Sequence, residues 1–173
     1  MVEFINNVSA TDNCDTPMLV CAPASGSLFS VGTHLITCTA TDLTGNTNAC
    51  TFNVIVTGVP EIGVQQPAGT DLAAGMSTVD FGRVALGLRV TNTFVITNTG
   101  TVELILTNPN NCVVQIVGGD PGNFFEVEPA ASPIPPGGSA TFTIRFTPAS
   151  AGFKTATARI ENNDSDENPF SSP

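Results

Sequence analysis

Apolar and polar positions alternate with a period of two over several short stretches of this chain, and no long window keeps a helical period unbroken by Gly or Pro. From His34 onward, Ile36, Cys38 and Ala40 alternate with Leu35, Thr37, Thr39 and Thr41. After Asp42-Leu43-Thr44-Gly45-Asn46, Cys50, Phe52, Val54 and Val56 alternate with Thr51, Asn53, Ile55 and Thr57. Apolar residues on one face and mostly Thr on the other is the pattern of a half-buried strand. The intervening pentapeptide is turn chemistry, with Gly45 able to take a positive φ. A β-hairpin is therefore predicted over His34 to Val56. If its register sets Cys38 opposite Cys50, both face inward.

Beyond Thr57-Gly58-Val59-Pro60 the composition changes: cysteine nearly vanishes, and Pro and Gly become frequent. Strands are predicted at Glu61 to Val64, Val79 to Phe81, Val90 to Asn98, Val102 to Leu106, Phe124 to Val127, Ala140 to Phe146 and Thr155 to Ile160. Phe94 and Ile96 share one face. Phe142, Ile144 and Phe146 point inward, opposite Thr141, Thr143 and Arg145. Gly82, Gly87, Asn98-Thr99-Gly100, Pro136-Gly137-Gly138 and Ala151-Gly152 punctuate the series. About seven strands with regular turn signals indicate a sandwich. The fold class is all-β, with two tandem immunoglobulin-like β-sandwich modules. The expected bounds are residues 1–57 and 61–173, joined by a linker at 58–60.

Composition narrows the function classes. Charged residues make up only 12% of the 173 positions, and Trp and Tyr are absent, so eleven Phe residues supply the large core side chains. Five basic residues stand against fifteen acidic ones, for a net charge of −10. That balance argues against nucleic acid, which needs clustered Lys and Arg, and against anionic membrane surfaces. No apolar run is long enough to insert in a bilayer. The opening Met1-Val2-Glu3-Phe4 lacks the basic and apolar regions of a signal peptide.

Cys14, Cys21, Cys38 and Cys50 crowd into the first third without a CxxC pair, and His34 is the only histidine. Zinc spacings are missing. Two disulfides are expected instead, typical of small modules in oxidising compartments. Four cysteines allow three connectivities, which the sequence leaves open. Cys112 remains over and reads as a buried free thiol.

The first module resembles a known family. Asp12-Asn13-Cys14, then Cys21-Ala22-Pro23-Ala24-Ser25-Gly26-Ser27-Leu28-Phe29, Val31-Gly32-Thr33, Thr37-Cys38-Thr39-Ala40-Thr41-Asp42, Gly45-Asn46 and Cys50-Thr51-Phe52 resemble the hyalin repeat (HYR) domain, over residues 1 to about 57. The second resembles the bacterial choice-of-anchor D repeat, related to the ASPM-SPD-2-Hydin immunoglobulin-like domains. Its matching pieces are Val79-Asp80-Phe81-Gly82, Phe94-Val95-Ile96-Thr97-Asn98-Thr99-Gly100, Pro136-Gly137-Gly138, Phe146-Thr147-Pro148 and Ile160-Glu161-Asn162-Asn163-Asp164-Ser165-Asp166-Glu167-Asn168-Pro169-Phe170. The first resemblance implies an extracellular module linked to adhesion. The second implies a spacer or stalk in large bacterial surface proteins. Against these families the first module starts late and the second stops before a final strand, so each is expected to lack an edge strand.

The functional expectation is a structural or adhesive segment of a bacterial extracellular or cell-surface protein. Its partners would be proteins: neighbouring copies or adjacent domains. A filament subunit completed by strand donation is the sharper form. The alternative is a carbohydrate- or protein-binding module of a secreted enzyme, though glycan platforms favour the Trp and Tyr that are missing here. No catalytic residue and no cofactor is expected, because His34 lacks a nucleophile partner, Ser25-Gly26-Ser27 is a loop, and Gly118-Gly119-Asp120-Pro121-Gly122 opens no helix. Lys154, the only lysine, is expected to be exposed. Asp164, Asp166 and Glu167 read first as a solvated turn. Hard oxygens at that density also make them the calcium candidate. Asp12, Asp42 and Asn46 form a weaker second one.

Overall fold

The computed structural model describes residues 2–107, 113–128 and 130–172, and Cys112 lies outside them. The chain divides between Gly58 and Val59 into two compact units.

The first unit is one antiparallel sheet of three strands in the order β1 (Met18–Ala22), β2 (Gly32–Thr41), β3 (Thr47–Val56). The predicted hairpin is β2 and β3, paired from Gly32↔Val56 to Thr41↔Thr47. Because directly opposed residues share a face, the apolar phases of both strands fall together. Ile36 and Cys38 are fully buried, and Phe52 and Val54 are half-buried beside them. The N-terminal segment lies over this face: the Val2 amide donates to the Ser27 carbonyl and the Phe4 amide to Ser25 Oγ. Phe4 packs edge-on against Phe52 at 5.2 Å. The opposite face carries Leu35 and Ile55, both exposed.

The second unit is a sandwich. One sheet runs β4 (Ile62–Gln65), β5 (Val90–Asn98), β8 (Ser139–Phe146), β7 (Phe124–Glu128), and the other runs β6 (Gln115–Val117), β9 (Thr157–Ile160), β10 (Phe170–Ser172). Every pairing is antiparallel. Register explains the core. Phe94 opposes Phe142, and their rings stack at 4.8 Å. Phe124 opposes Phe146, and theirs stack at 4.7 Å. Ile62, Val64, Ile96 and Ile144 from the first sheet meet Ile160 and Phe170 from the second.

Two predicted strands do not form. Val79 to Phe81 pairs with nothing, yet Phe81 packs on Phe124 and Phe146, so its apolar residues plug the core without joining a ladder. Leu104 and Leu106 make single bridges, to Ile134 and Asn162 respectively. The alternation there is real, since Leu104 is fully buried, but each residue meets a different partner and no ladder builds. Conversely, β6 and β10, of three residues each, are too short for periodicity to reveal, and the five residues of β1 are all apolar and show no alternation.

Asn98 ends β5 with no exposed surface. Its Nδ2 donates to the carbonyls of Val102 and Ile134, and its Oδ1 accepts from the amides of Gly100 and Glu61. Gly100 is required here by close approach: a Cβ would overlap the Val59 carbonyl oxygen. The Asn98-Thr99-Gly100 turn thereby clamps the start of β4. Replacing Asn98 with Ala strands several buried polar groups, so Asn98→Ala is expected to cost the second unit about 3–5 kcal/mol. Urea unfolding followed on that unit measures it, with the midpoint falling and the slope unchanged.

Candidate metal centre

The segment from Asn162 to Asn168, expected as a solvated turn, is exposed at Asn163, Ser165, Asp166 and Asn168 but buried at two positions. Asn162 and Asp164 are 2% and 1% exposed. Asn162 organises the loop from within: its Nδ2 donates to the carbonyls of Ile160 and Glu167, and its Oδ1 accepts from the Asp164 amide at 2.7 Å. Short Asn side chains bond nearby backbone in this way and fix turns. Asn163 then ties the loop sideways, accepting from the Ile105 amide at 2.7 Å and donating to the Glu103 carbonyl. Asp164 reaches across the unit, where its Oδ2 accepts from the Ile62 amide at 2.9 Å, over 102 positions of sequence.

That last bond brings β4 beside the loop, and Glu61 comes with it. Ligand oxygens of Glu61, Asp164, Asp166 and Glu167 lie within 4.8 Å of one another. The structure thus unites the three acids singled out from sequence and adds Glu61, which sequence reasoning missed. Its only signal was its place just after the Val59-Pro60 seam, which says nothing about distance in space. Among the described residues, the ion pairs are Lys154–Asp120 and Arg159–Glu161, so no Lys or Arg neutralises the four. The Oε2 of Glu167 is shut off from solvent without a hydrogen-bond partner. Desolvation, followed by the charges of Asp166, Glu61 and Asp164, pushes the Glu167 carboxyl above its ordinary range.

The weaker acidic candidate dissolves into turn capping. Asp42 Oδ1 accepts from the amides of Thr44 and Asn46, and its Oδ2 accepts from Asn46 Nδ2 at 2.6 Å. The Asn46 side-chain bond is the main cause holding the Asp42 carboxyl below its ordinary value. Asp12 caps the Cys14 amide.

The cysteines also differ from expectation. Cys21 opposes Cys38 across β1 and β2, and Cys38 opposes Cys50 across β2 and β3, so three cysteines form one row. The Cys38 sulfur can bridge one neighbour only, and it is bonded to Cys21. Cys14 and Cys50 are exposed free thiols, so among the described residues one disulfide stands where two were expected. Cys50 shares the inward phase of Cys38 but lies past the part of the face that is covered. Lys154, expected to be exposed, is 12% exposed along its side chain and pairs with Asp120 at 3.4 Å.

Residues 72–172, more than half of the chain, match the family described as HYDIN/CFA65/VesB-like, Ig-like domain. The chain belongs to this family. A HYR domain matches ahead of it, over residues 2–56. No curated protein and no solved structure matches the chain. In the HYDIN/CFA65/VesB-like domain the three acids of the loop fall inside the matched span, whereas Glu61 precedes it.

Electrostatics of the cluster give a pH test. A carboxyl with a raised folded-state pKa makes the folded state bind more protons than the unfolded one. Stability therefore falls as pH rises from the ordinary glutamate range through the raised value. In metal-free buffer, the second unit is expected to lose stability across that window, and Glu167→Gln is expected to flatten the loss. Thermal melts of both proteins between pH 4 and 8, spanning that range, check it. Parallel profiles for the two would refute the assignment.

Proposed function

We propose that this chain is a structural or adhesive segment of an extracellular or cell-surface multidomain protein, and that it works by presenting protein surfaces rather than by catalysis. The observation that carries the reading is the order of its parts: a HYR domain, stapled by Cys21–Cys38, followed by an Ig-like domain of the HYDIN/CFA65/VesB-like family. A disulfide fits an oxidising compartment. The side chains weighed above for chemistry have other partners. His34 Nε2 lies 2.8 Å from the Ser30 carbonyl oxygen with its ring against Phe29, and Ser25 Oγ caps the Phe4 amide. No helix among the described residues is long and apolar enough to cross a membrane.

In its finer form the proposal places the protein in bacteria, as a filament subunit whose sandwich takes a strand from a neighbouring copy. Two features of the second unit support this. Its sheets end in β4, β7, β6 and β10; the outer edges of β4 and β10 are partly met by residues 70–72 and Gly75, so strand addition, which unpaired edges invite, falls to β6 or β7. A cavity of about 930 Å³ opens between the sheets, lined by Val79, Phe81, Ile116, Phe124, Phe146 and the nine-tenths exposed Phe153.

Two measurements separate the levels of this reading. Antibodies to the HYR domain are expected to label intact source cells or their medium, and labelling only after permeabilisation would overturn the extracellular assignment. In light scattering coupled to size exclusion, the 173-residue chain is expected to form concentration-dependent oligomers. A folded, strictly monomeric species at high concentration would remove the filament form and leave the broader reading standing.

A further inference from the structure

We propose that Arg89, Arg145 and Phe125 form a docking site on the outer face of the sheet β4, β5, β8, β7, and that its occupant is the acidic first unit of a second copy of this chain. The inference rests on the filament form proposed above and deepens it by naming a contact between copies. It begins with register. Arg145 stands opposite Thr91 on β5 and opposite Phe125 on β7. It alternates with Ile144 and Phe146, which are buried in the core, so Arg145, Thr91 and Phe125 share the outer face. The guanidinium carbon of Arg145 lies 5.2 Å from the centre of the Phe125 ring, and Phe125 remains exposed. Arg89, immediately ahead of β5, lines a shallow groove with Arg145, Thr91 and Val127.

Charge sets these two arginines apart. The chain holds fifteen acidic residues and five basic ones, so carboxylates within the same chain are plentiful. Lys154 pairs with Asp120 and Arg159 with Glu161, whereas among the described residues Arg89 and Arg145 enter no ion pair. Glu128, opposite Thr143 on the same face, accepts from Thr143 Oγ1 instead. Arg145 Nε is shielded from water and lacks a hydrogen-bond partner, a state that folded proteins seldom tolerate. A guanidinium offers its donors in a planar fork that grips a carboxylate at two points. Arg beside an aromatic ring is also the make-up of interface hot spots. The site therefore suits a carboxylate with an apolar neighbour.

The first unit supplies that chemistry. Residues 1–58 hold Glu3, Asp12, Asp15 and Asp42 but no Lys or Arg, and all five Lys and Arg residues lie in the second unit. Asp15 Oδ2 accepts from the Leu43 amide, which sets a carboxylate beside a side chain that is 86% exposed. The other oxygen of Asp15, Oδ1, lacks a hydrogen-bond partner, as Arg145 Nε does. Asp15 with Leu43 thus complements Arg145 with Phe125 in charge and in polarity. The two surfaces differ, so the contact runs head to tail and propagates from copy to copy instead of closing a symmetric pair.

The test uses the full chain in light scattering coupled to size exclusion. Mass is expected to rise with concentration in about 50 mM sodium chloride and to fall to the monomer in about 500 mM, where exposed charges are screened within a few ångströms. Arg89→Gln and Arg145→Gln are each expected to weaken association about tenfold. Asp15→Asn, which keeps an oxygen for the Leu43 amide, and Leu43→Ser, at an exposed position, should weaken it similarly. Arg159→Gln removes the same charge from the other sheet and should leave association unchanged. Thermal melts check that each variant is folded. The proposal is overturned if Arg145→Gln and Asp15→Asn associate as the wild type does, or if assembly ignores salt. The filament reading then stands on strand addition alone, whose backbone bonds need no arginine. A salt-sensitive contraction at constant mass also overturns the proposal, because the contact would then lie within one chain. A strictly monomeric wild type in low salt removes the filament reading itself, and this contact with it.

Discussion

The second unit hangs on one hydrogen bond, from the Ile62 amide to the carboxylate of Asp164. It joins the first strand of the sandwich to the loop before the last, at the greatest sequence separation of any bond described above. Edge strands leave backbone donors without ladder partners, and a donor buried at a strand start must be met by a side chain. Asp164 meets this one, and Asn98 meets its neighbour at Glu61. The geometry of the acidic cluster follows. Once the Ile62 amide points at Asp164, Glu61 is carried beside Asp166 and Glu167 whatever its own charge prefers. Charge repulsion is accepted locally because backbone satisfaction and core packing outweigh it.

The two units solve burial differently. In the second, two sheets share a core whose aromatic layers are set by register, with Phe94 on Phe142 and Phe124 on Phe146. In the first, the described residues form one sheet with no facing sheet, and the N-terminal segment carrying Phe4 serves as its cover. A cover of that kind shields only part of the face. Ile36 and Cys38 lie under it, and Cys50, in the same phase but at the edge strand, stays exposed. The disulfide therefore sits within the covered centre, where it staples β1 to β2, and the free thiol sits outside it.

Much of this was legible in the chain. Period-two alternation located β2, β3, β5 and β8, with the inward residues assigned correctly at Ile36, Phe94, Ile96, Phe142 and Ile144. It worked because long half-buried strands repeat the same demand many times. It failed at Val79 to Phe81 and at Leu104 to Leu106, where apolar residues are buried without a continuous partner strand. It also failed at β6 and β10, where three residues make no period, and at β1, whose residues are all apolar and do not alternate. The disulfide count failed for a related reason: spacing shows that cysteines are dense, while pairing depends on which sulfurs share a row.

The sequence by itself determined the class of architecture, the order of the two modules, the acidic character of the Asp164–Glu167 loop and the excess of acidic over basic residues. These are local properties of composition, period and motif. Only the tertiary structure decided that Cys38 joins Cys21, that Asn162 and Asp164 are buried, and that Glu61 completes the cluster. Each depends on contacts between segments far apart in the chain. A residue such as Glu61 carries no local mark of the place to which a backbone hydrogen bond one position later will bring it.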